Sequence, residues 1–84
     1  MKHATEAALI GISGLLSQIR ARPEIKEKKL GIFYRKSKSF LHFHEDPAGL
    51  FDDLSVGTDF ERYPVNTRRQ WKALLSAINR ALHS

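Results

Sequence analysis

The chain has 84 residues, 42% of them hydrophobic and 27% charged, and a net charge of +5. This length predicts one domain over residues 1–84 with a single thin core. The absence of cysteine excludes disulfides, thiolate metal sites and cysteine nucleophiles, and it favours a cytoplasmic protein. No apolar run approaches the roughly 18 residues of a membrane-spanning helix, so we expect no membrane partner.

The first predicted element is an amphipathic helix that begins near Thr5 and ends before Pro23. Steps of three and four residues mark its apolar stripe, which consists of Ala8, Leu9, Ile12, Leu15, Leu16 and Ile19. Residues 24–29 alternate in charge beside the proline, and this pattern predicts a solvated loop.

The middle of the chain predicts an antiparallel meander of strands. Residues 32–44 contain two apolar runs separated by a basic tetrapeptide, which suits a hairpin. Residues 46–49 supply Asp, Pro and Gly for a second turn, followed by a third strand at residues 50–54. Residues 58–65 alternate as a fourth strand, and Pro64 indicates that this strand lies at an edge.

The C-terminal segment predicts the clearest helix. Thr67 and Gln70 have the spacing of a capping box, and an apolar stripe runs from Trp71, expected to be mostly buried, to Leu82. The predicted fold is therefore α+β: an N-terminal helix, an antiparallel meander of three or four strands and a C-terminal helix. Both helices cover one face of the sheet, and the other face is open unless a partner covers it.

Alternation along the second strand assigns its side chains to two faces. Leu41 and Phe43 share the face expected to be in the core. Phe40, His42 and His44 share the opposite face. This pattern brings two imidazoles together on the sheet.

His42 and His44 are candidate ligands for a divalent transition metal, because imidazole nitrogens with carboxylates suit zinc, manganese, iron or nickel. A general-base role for His42 beside Asp52 or Asp53 is a further hypothesis. The pattern is also common on polar sheet faces without a ligand, and no nucleophile or oxyanion hole is evident, so a non-enzymatic protein without a cofactor is favoured. The nearby carboxylates are Glu45, Asp46, Asp52 and Asp53.

Basic residues predict a surface for nucleic acid or another polyanion. Aromatic rings on an exposed sheet face, among them Phe33, Tyr34 and Phe40, would stack bases. No known nucleic-acid-binding motif accompanies them, so a solvated basic surface is the alternative. The basic residues are Lys26, Lys28, Lys29, Arg35, Lys36 and Lys38 around the first hairpin, and Arg68, Arg69 and Lys72 at the start of the last helix.

The acidic residues are concentrated in residues 45–61, which contain six acids and no lysine or arginine. Such a segment would meet the basic hairpin, or Arg68 and Arg69, of a second copy in a two-fold dimer. The leading hypothesis is therefore a small binding module that forms a homo-oligomer. The alternatives are nucleic-acid binding and an enzyme around the two histidines. The apolar part of the interface would come from some of Phe33, Phe40, Phe51 and Phe60.

Residues 38–54, KSFLHFHEDPAGLFDDL, follow the pattern K-x-F-L-H-F-H-x-D-P-x-G-L-F-x-D-L. This segment resembles one in a group of short bacterial α+β proteins, and the likeness extends over about residues 30–65, including the DFER strand at 59–62. The resemblance implies a bacterial protein with an α+β fold. It implies no activity, because none is known for the group.

Overall fold

The computed structural model describes residues 2–83, without the side chain of Lys2. Strands β2 to β6 form an antiparallel meander in chain order, and β1 pairs with β4. This confirms the α+β prediction, although the sheet within residues 2–83 has six strands rather than three or four. The elements are β1 (Lys2–His3), α1 (Glu6–Ile10), α2 (Ser13–Arg20), β2 (Lys26–Lys29), β3 (Ile32–Arg35), β4 (Lys38–Asp46), β5 (Gly49–Val56), β6 (Asp59–Pro64) and α3 (Arg68–Leu82).

The N-terminal helix is divided into α1 and α2 by a turn at residues 11–12. Thr5 caps α1, because its side-chain oxygen accepts a hydrogen bond from the backbone N–H of Ala8 at 3.2 Å. The predicted apolar stripe continues across the turn, since Leu9, Ile12 and the apolar residues of α2 are buried. Packing of this stripe thus preserves one helical layer despite the break.

Residues 26–29 form an edge strand, so the loop predicted for this segment is wrong. Glu27 lies opposite Phe33 and accepts hydrogen bonds from Arg20, at 2.6 Å from Nε and 3.0 Å from Nη2. It also accepts one from the backbone N–H of Gly31 at 2.9 Å. These contacts hold a highly charged segment in the sheet, and charged edge strands resist pairing with other chains.

A β-bulge in β4 changes which side chains enter the core. Phe33 pairs with Leu41 whereas Tyr34 pairs with Ser39, which leaves Phe40 as the extra residue. Phe40 and Leu41 are therefore both buried. The prediction that Phe40 shares the face of the two histidines is wrong, and Phe33 is also in the core rather than on an exposed face.

Helix α3 has the predicted capping box between Thr67 and Gln70, and its first turn packs against α2. Trp71 is half-buried, and its Nε1 donates a hydrogen bond to the carbonyl of Val65 at 2.8 Å. A Cβ atom at Gly14 would lie 3.3 Å from the Trp71 ring, so glycine permits this close approach. Within residues 2–83, no helix is long and apolar enough to cross a membrane.

Candidate functional site

The outer face of the sheet is the face opposite the helices. Cross-strand partners lie side by side on one face of an antiparallel sheet. His42 lies opposite Ile32 in β3 and Asp53 in β5, and Asp53 lies opposite Arg62 in β6. The same pairing assigns to this outer face the side chains of Ile32, Tyr34, Ser39, His42, His44, Phe51, Asp53, Phe60 and Arg62.

The structure brings His42 and His44 together on the outer face, as predicted, and adds His3. The ring centroids of His42 and His44 are 5.9 Å apart. His3 lies opposite His44 in the β1–β4 pairing, and the two rings stack at 5.6 Å. Sequence reasoning missed His3 because a two-residue strand near the chain end has no periodicity to reveal it.

His44 is linked through Asp53 to Arg62. The Nε2 atom of His44 lies 3.1 Å from Oδ2 of Asp53. Arg62 approaches the same carboxylate with Nε 2.8 Å from Oδ1 and Nη2 3.2 Å from Oδ2. The hydrogen bond from Arg62 lowers the pKa of Asp53, so this carboxylate is ionised at neutral pH.

His42 has a different environment from His44. Its Nε2 atom is hydrogen-bonded to the Ser39 hydroxyl, and its ring centroid lies 5.6 Å from that of Phe60. Burial lowers the pKa of His42, and repulsion from His44 and His3 lowers it further, against an opposing effect of Asp53. At neutral pH the imidazole is therefore uncharged and presents an aromatic surface.

The predicted transition-metal site receives no geometric support. In the part of the chain that the structure describes, the His, Asp and Glu side chains form no group of three or more that could hold a metal ion. The Nε2 atoms of His42 and His44 already contact Ser39 and Asp53. Glu45 lies on the other side of the sheet, where its carboxylate accepts a hydrogen bond from the backbone N–H of Thr5.

The general-base hypothesis is also changed by the geometry. Asp52 cannot orient His42, because it is buried on the opposite face of the sheet. Asp53 lies opposite His42 but binds His44 and Arg62. The structure instead places the Ser39 hydroxyl on the imidazole, a contact that the sequence conceals because regular alternation assigns residues three apart to opposite faces.

Asp52 is the most unusual residue of the core. Its relative exposure is 0%, and it lies between Phe43 and Tyr63 in the strand pairing. Both carboxyl oxygens lack a hydrogen-bond partner among the described residues. Burial, and to a smaller extent the charge of Asp53, raises the pKa of Asp52 well above its usual value, so the protonated form is favoured.

The predicted basic residues are divided among separate surfaces. Lys26 lies opposite Tyr34, and the Lys28 ammonium is 5.4 Å from the centroid of the Tyr34 ring, so both border the outer face. Arg35 donates hydrogen bonds to the carbonyls of Ala81 and Leu82 at the C-terminal end of α3. The hairpin and the start of α3 are thus at opposite ends of a 15-residue helix.

That helix separates the two predicted basic groups by roughly 20 Å, at 1.5 Å per residue. Arg68 and Arg69 are exposed at the N-terminal end of α3. Lys36 and Lys38 are exposed around the β3–β4 turn, near the C-terminal end. The structure therefore does not bring the two groups into one surface.

Comparisons with protein-family models, with curated proteins and with solved structures found no match. The resemblance of residues 38–54 to short bacterial proteins stays a prediction. The functional argument therefore depends on the geometry of the outer face and of the surfaces around it.

Proposed function

We propose that the chain is a binding module that holds single-stranded nucleic acid on the outer face of its sheet. The observation that carries the proposal is a set of rings on neighbouring strands, on the face opposite the helices of residues 2–83. Tyr34 is on β3, His42 and His44 are on β4, and Phe51 and Phe60 are on β5 and β6.

Planar rings on a sheet suit unstacked bases. Neighbouring strands are about 4.8 Å apart, so a nucleotide chain that crosses the strands meets successive rings. Phe60 is 51% exposed, and its ring lies beside the uncharged His42 imidazole. Base–ring stacking is tolerant of sequence, because every base has a π-face.

Lysines border this aromatic surface on β2. Lys26 and Lys28 lie beside Tyr34, and Lys29 lies opposite Ile32, so these ammonium groups are available to phosphates along one margin. Phosphates that run beside stacked bases require such a cationic margin. A duplex would bury its base faces, so this arrangement favours a single strand.

Two residues of the acidic segment, Asp46 and Asp53, lie on the outer face, where both carboxylates act on Arg62. Asp52 is in the core and Asp53 is paired with Arg62. Glu45 and Glu61 lie opposite Leu50 and Leu54, which are core residues, so both carboxylates belong to the helix side of the sheet. Most of the acidic segment is therefore directed away from the outer face.

Fluorescence anisotropy with labelled oligothymidine tests the proposal. Tyr34→Ala and Phe60→Ala are each expected to weaken binding by about 1–3 kcal/mol through lost stacking. The pair Lys26→Gln and Lys28→Gln removes about two phosphate contacts, which reduces the slope of log affinity against log salt by about 1.4.

The matched control is the pair Arg68→Gln and Arg69→Gln, which removes the same charge from the first turn of α3. It is expected to leave stacking intact and to change affinity little. Equal losses from the two pairs would indicate general charge attraction, and no binding by the unchanged chain would refute the proposal.

Self-association through the outer face is the second candidate, because Phe60 is exposed there and Phe51 is half-buried opposite His44 on the same face. The residues of the acidic segment are divided between the core and both faces, so the predicted ionic contacts with a second copy would come from only part of it. An interface would therefore depend on the rings, with the uncharged His42 facing its counterpart.

The two candidates respond oppositely to pH. Acidification charges the His42 imidazole, which strengthens contacts with phosphates but opposes the packing of two identical histidine faces. The titratable groups that act on His42 are His44, His3 and Asp53, and Arg62 is hydrogen-bonded to Asp53. Light scattering at about 100 μM protein measures the dimer, since even a weak dimer is populated there. A monomer at both pH 7.5 and pH 5.5 would exclude the dimer.

A further inference from the structure

The β4–β5 pairing stops before the two strands end. The last pair is Leu41 with Leu54, although β4 begins at Lys38 and β5 continues to Val56. Residues 38–39 pair only with β3, Phe40 is the bulge residue, and residues 55–56 pair only with β6. The two neighbouring hairpins therefore separate at this end of the sheet and leave a cleft between them.

The bulge at Phe40 explains why the pairing ends there. An extra residue bends its strand and commonly terminates a ladder. Beyond the bulge, β4 follows β3 toward the β3–β4 turn, while β5 follows β6 toward the turn at Gly57. Beyond Leu41 and Leu54, the backbones of β4 and β5 are therefore not paired with each other across the cleft.

The cleft has a volume of about 630 Å³, within the range of small-molecule sites. One part of its lining is apolar, and the rest consists of cations and hydroxyl groups. No acidic side chain is among the described residues that line it. The lining residues are Arg35, Lys36, Ser37, Lys38, Ser39, Phe40, Ser55, Val56, Gly57 and Ala81.

Arg35 gives the cleft a fixed wall. Its Nη1 and Nη2 atoms each lie 3.2 Å from a carbonyl oxygen, of Ala81 and of Leu82, and this contact holds the end of α3 beside the hairpin. Lys36 adopts a left-handed conformation, with φ of 59°, in the turn. The Arg35 guanidinium is bound to carbonyls at the C-terminal end of α3. The positive charge available to a ligand therefore comes from Lys36 and Lys38, which are exposed.

We infer that this cleft binds a small organic anion, in which a phosphate or carboxylate group is joined to an apolar or planar body. The anionic group meets Lys36, Lys38 and the hydroxyls of Ser37 and Ser55, because the Ser39 hydroxyl contacts His42. The apolar body packs on Phe40, Val56 and Ala81. The site is separate from the lysine margin of the outer face, because none of Lys26, Lys28 and Lys29 lines the cleft.

Amide chemical shifts of the full chain test this inference with phenyl phosphate and with benzoate as separate probes. Inorganic phosphate and phenol are the controls, because each has only half of the proposed chemistry. Phenyl phosphate or benzoate is expected to bind with a Kd of about 1 mM and to shift residues 38–40 and 55–57. The two probes decide which anionic group the cleft prefers.

Two variants test the assigned walls. The first variant combines Lys36→Gly with Lys38→Gln and is expected to weaken binding about tenfold. Glycine is chosen at position 36 because it adopts a positive φ without strain. Ser55→Leu fills the cleft without a change of charge and is expected to abolish binding. The control pair Lys26→Gln and Lys28→Gln is expected to leave the Kd unchanged, although the same pair weakens oligothymidine binding. This contrast separates the two proposals.

Three results would overturn the inference. The first is the absence of shifts with both organic probes. The second is equal affinity for inorganic phosphate, which would show that the apolar wall makes no contribution. The third is a set of shifts confined to Tyr34, His42 and Phe60, which would assign the anion to the outer face.

Discussion

Ser39 and His42 lie on the same face of β4, with the serine hydroxyl on the imidazole, although they are three residues apart. In a regular strand this spacing places side chains on opposite faces. The Phe40 bulge between them reverses the alternation once. The same residue fills the core and precedes the point where the β4–β5 ladder ends, so it shapes both the outer face and the cleft.

His42 is expected to titrate below the ordinary histidine range, because burial and the neighbouring imidazoles lower its pKa. His44→Gln removes a repulsive charge and should raise the pKa of His42 toward its usual value. Asp53→Asn removes an attractive one and should lower it further. NMR titration of the imidazole protons measures both shifts.

The control for this titration is His83→Gln at the end of α3, which should leave the His42 curve unchanged.

An unfolded chain binds the His42 proton more tightly than the folded chain. The uncharged His42 therefore does not reduce the stability of the fold above the unfolded-state pKa of 6.5. As pH falls from that value toward the folded-state pKa, the fold loses stability. A His42 pKa above that of free histidine would contradict the assigned environment.

Asp52 predicts a stability change of the opposite sign. Its pKa is raised in the folded state, so the folded chain binds this proton more tightly, and stability falls as pH rises from the unfolded value of 3.8. Asp52→Val removes two unsatisfied oxygens and is expected to stabilise the fold at pH 7 by about 1–3 kcal/mol. Urea denaturation at several pH values measures the effect.

Asp52→Asn serves as the control, because it keeps a buried polar group but does not titrate. It should remove the pH dependence without the full gain in stability. Destabilisation by Asp52→Val at neutral pH would mean that the carboxyl has a partner outside this chain.

Gly31 and Gly57 both have positive φ, of 76° and 72°, but differ in the space around them. A Cβ at Gly31 would lie 3.0 Å from Cδ1 of Leu9, whereas none of the described atoms lies within 4 Å of one at Gly57. Gly57→Ala should therefore cost about 1–2 kcal/mol from the left-handed backbone alone.

Gly31→Ala should cost that amount and about 1–3 kcal/mol more from overpacking against α1. The difference between the two midpoints in chemical denaturation isolates the contact with Leu9. Equal costs would show that α1 does not pack on this turn.

Trp71 joins α3 to the strand before it and to α2. Trp71→Ala is expected to destabilise by about 3 kcal/mol, because it removes a half-buried ring that contacts Gly14. Trp71→Phe keeps most of the ring and loses the hydrogen bond to Val65, at about 1 kcal/mol. Free quenching of the native tryptophan by iodide would contradict the packing described for it.

Local patterns in the sequence predicted much of the fold. The capping box of Thr67 and Gln70, the N-cap at Thr5 and the antiparallel meander all follow from residue preferences over a few positions. The pairing of His42 and His44 on one face follows from period-two alternation. Each of these features depends on neighbours in the chain, which a single sequence displays.

Other features depend on contacts between distant segments, which only the tertiary structure decides. Residues 26–29 form a strand because Arg20 and β3 hold Glu27, and His3 joins the histidines because β1 pairs with β4. The bulge at Phe40 arises where one more side chain enters the core, and burial in that core overrides alternation. Asp52 is buried although it is polar, because the register of β5 places its side chain on the core face between Leu50 and Leu54.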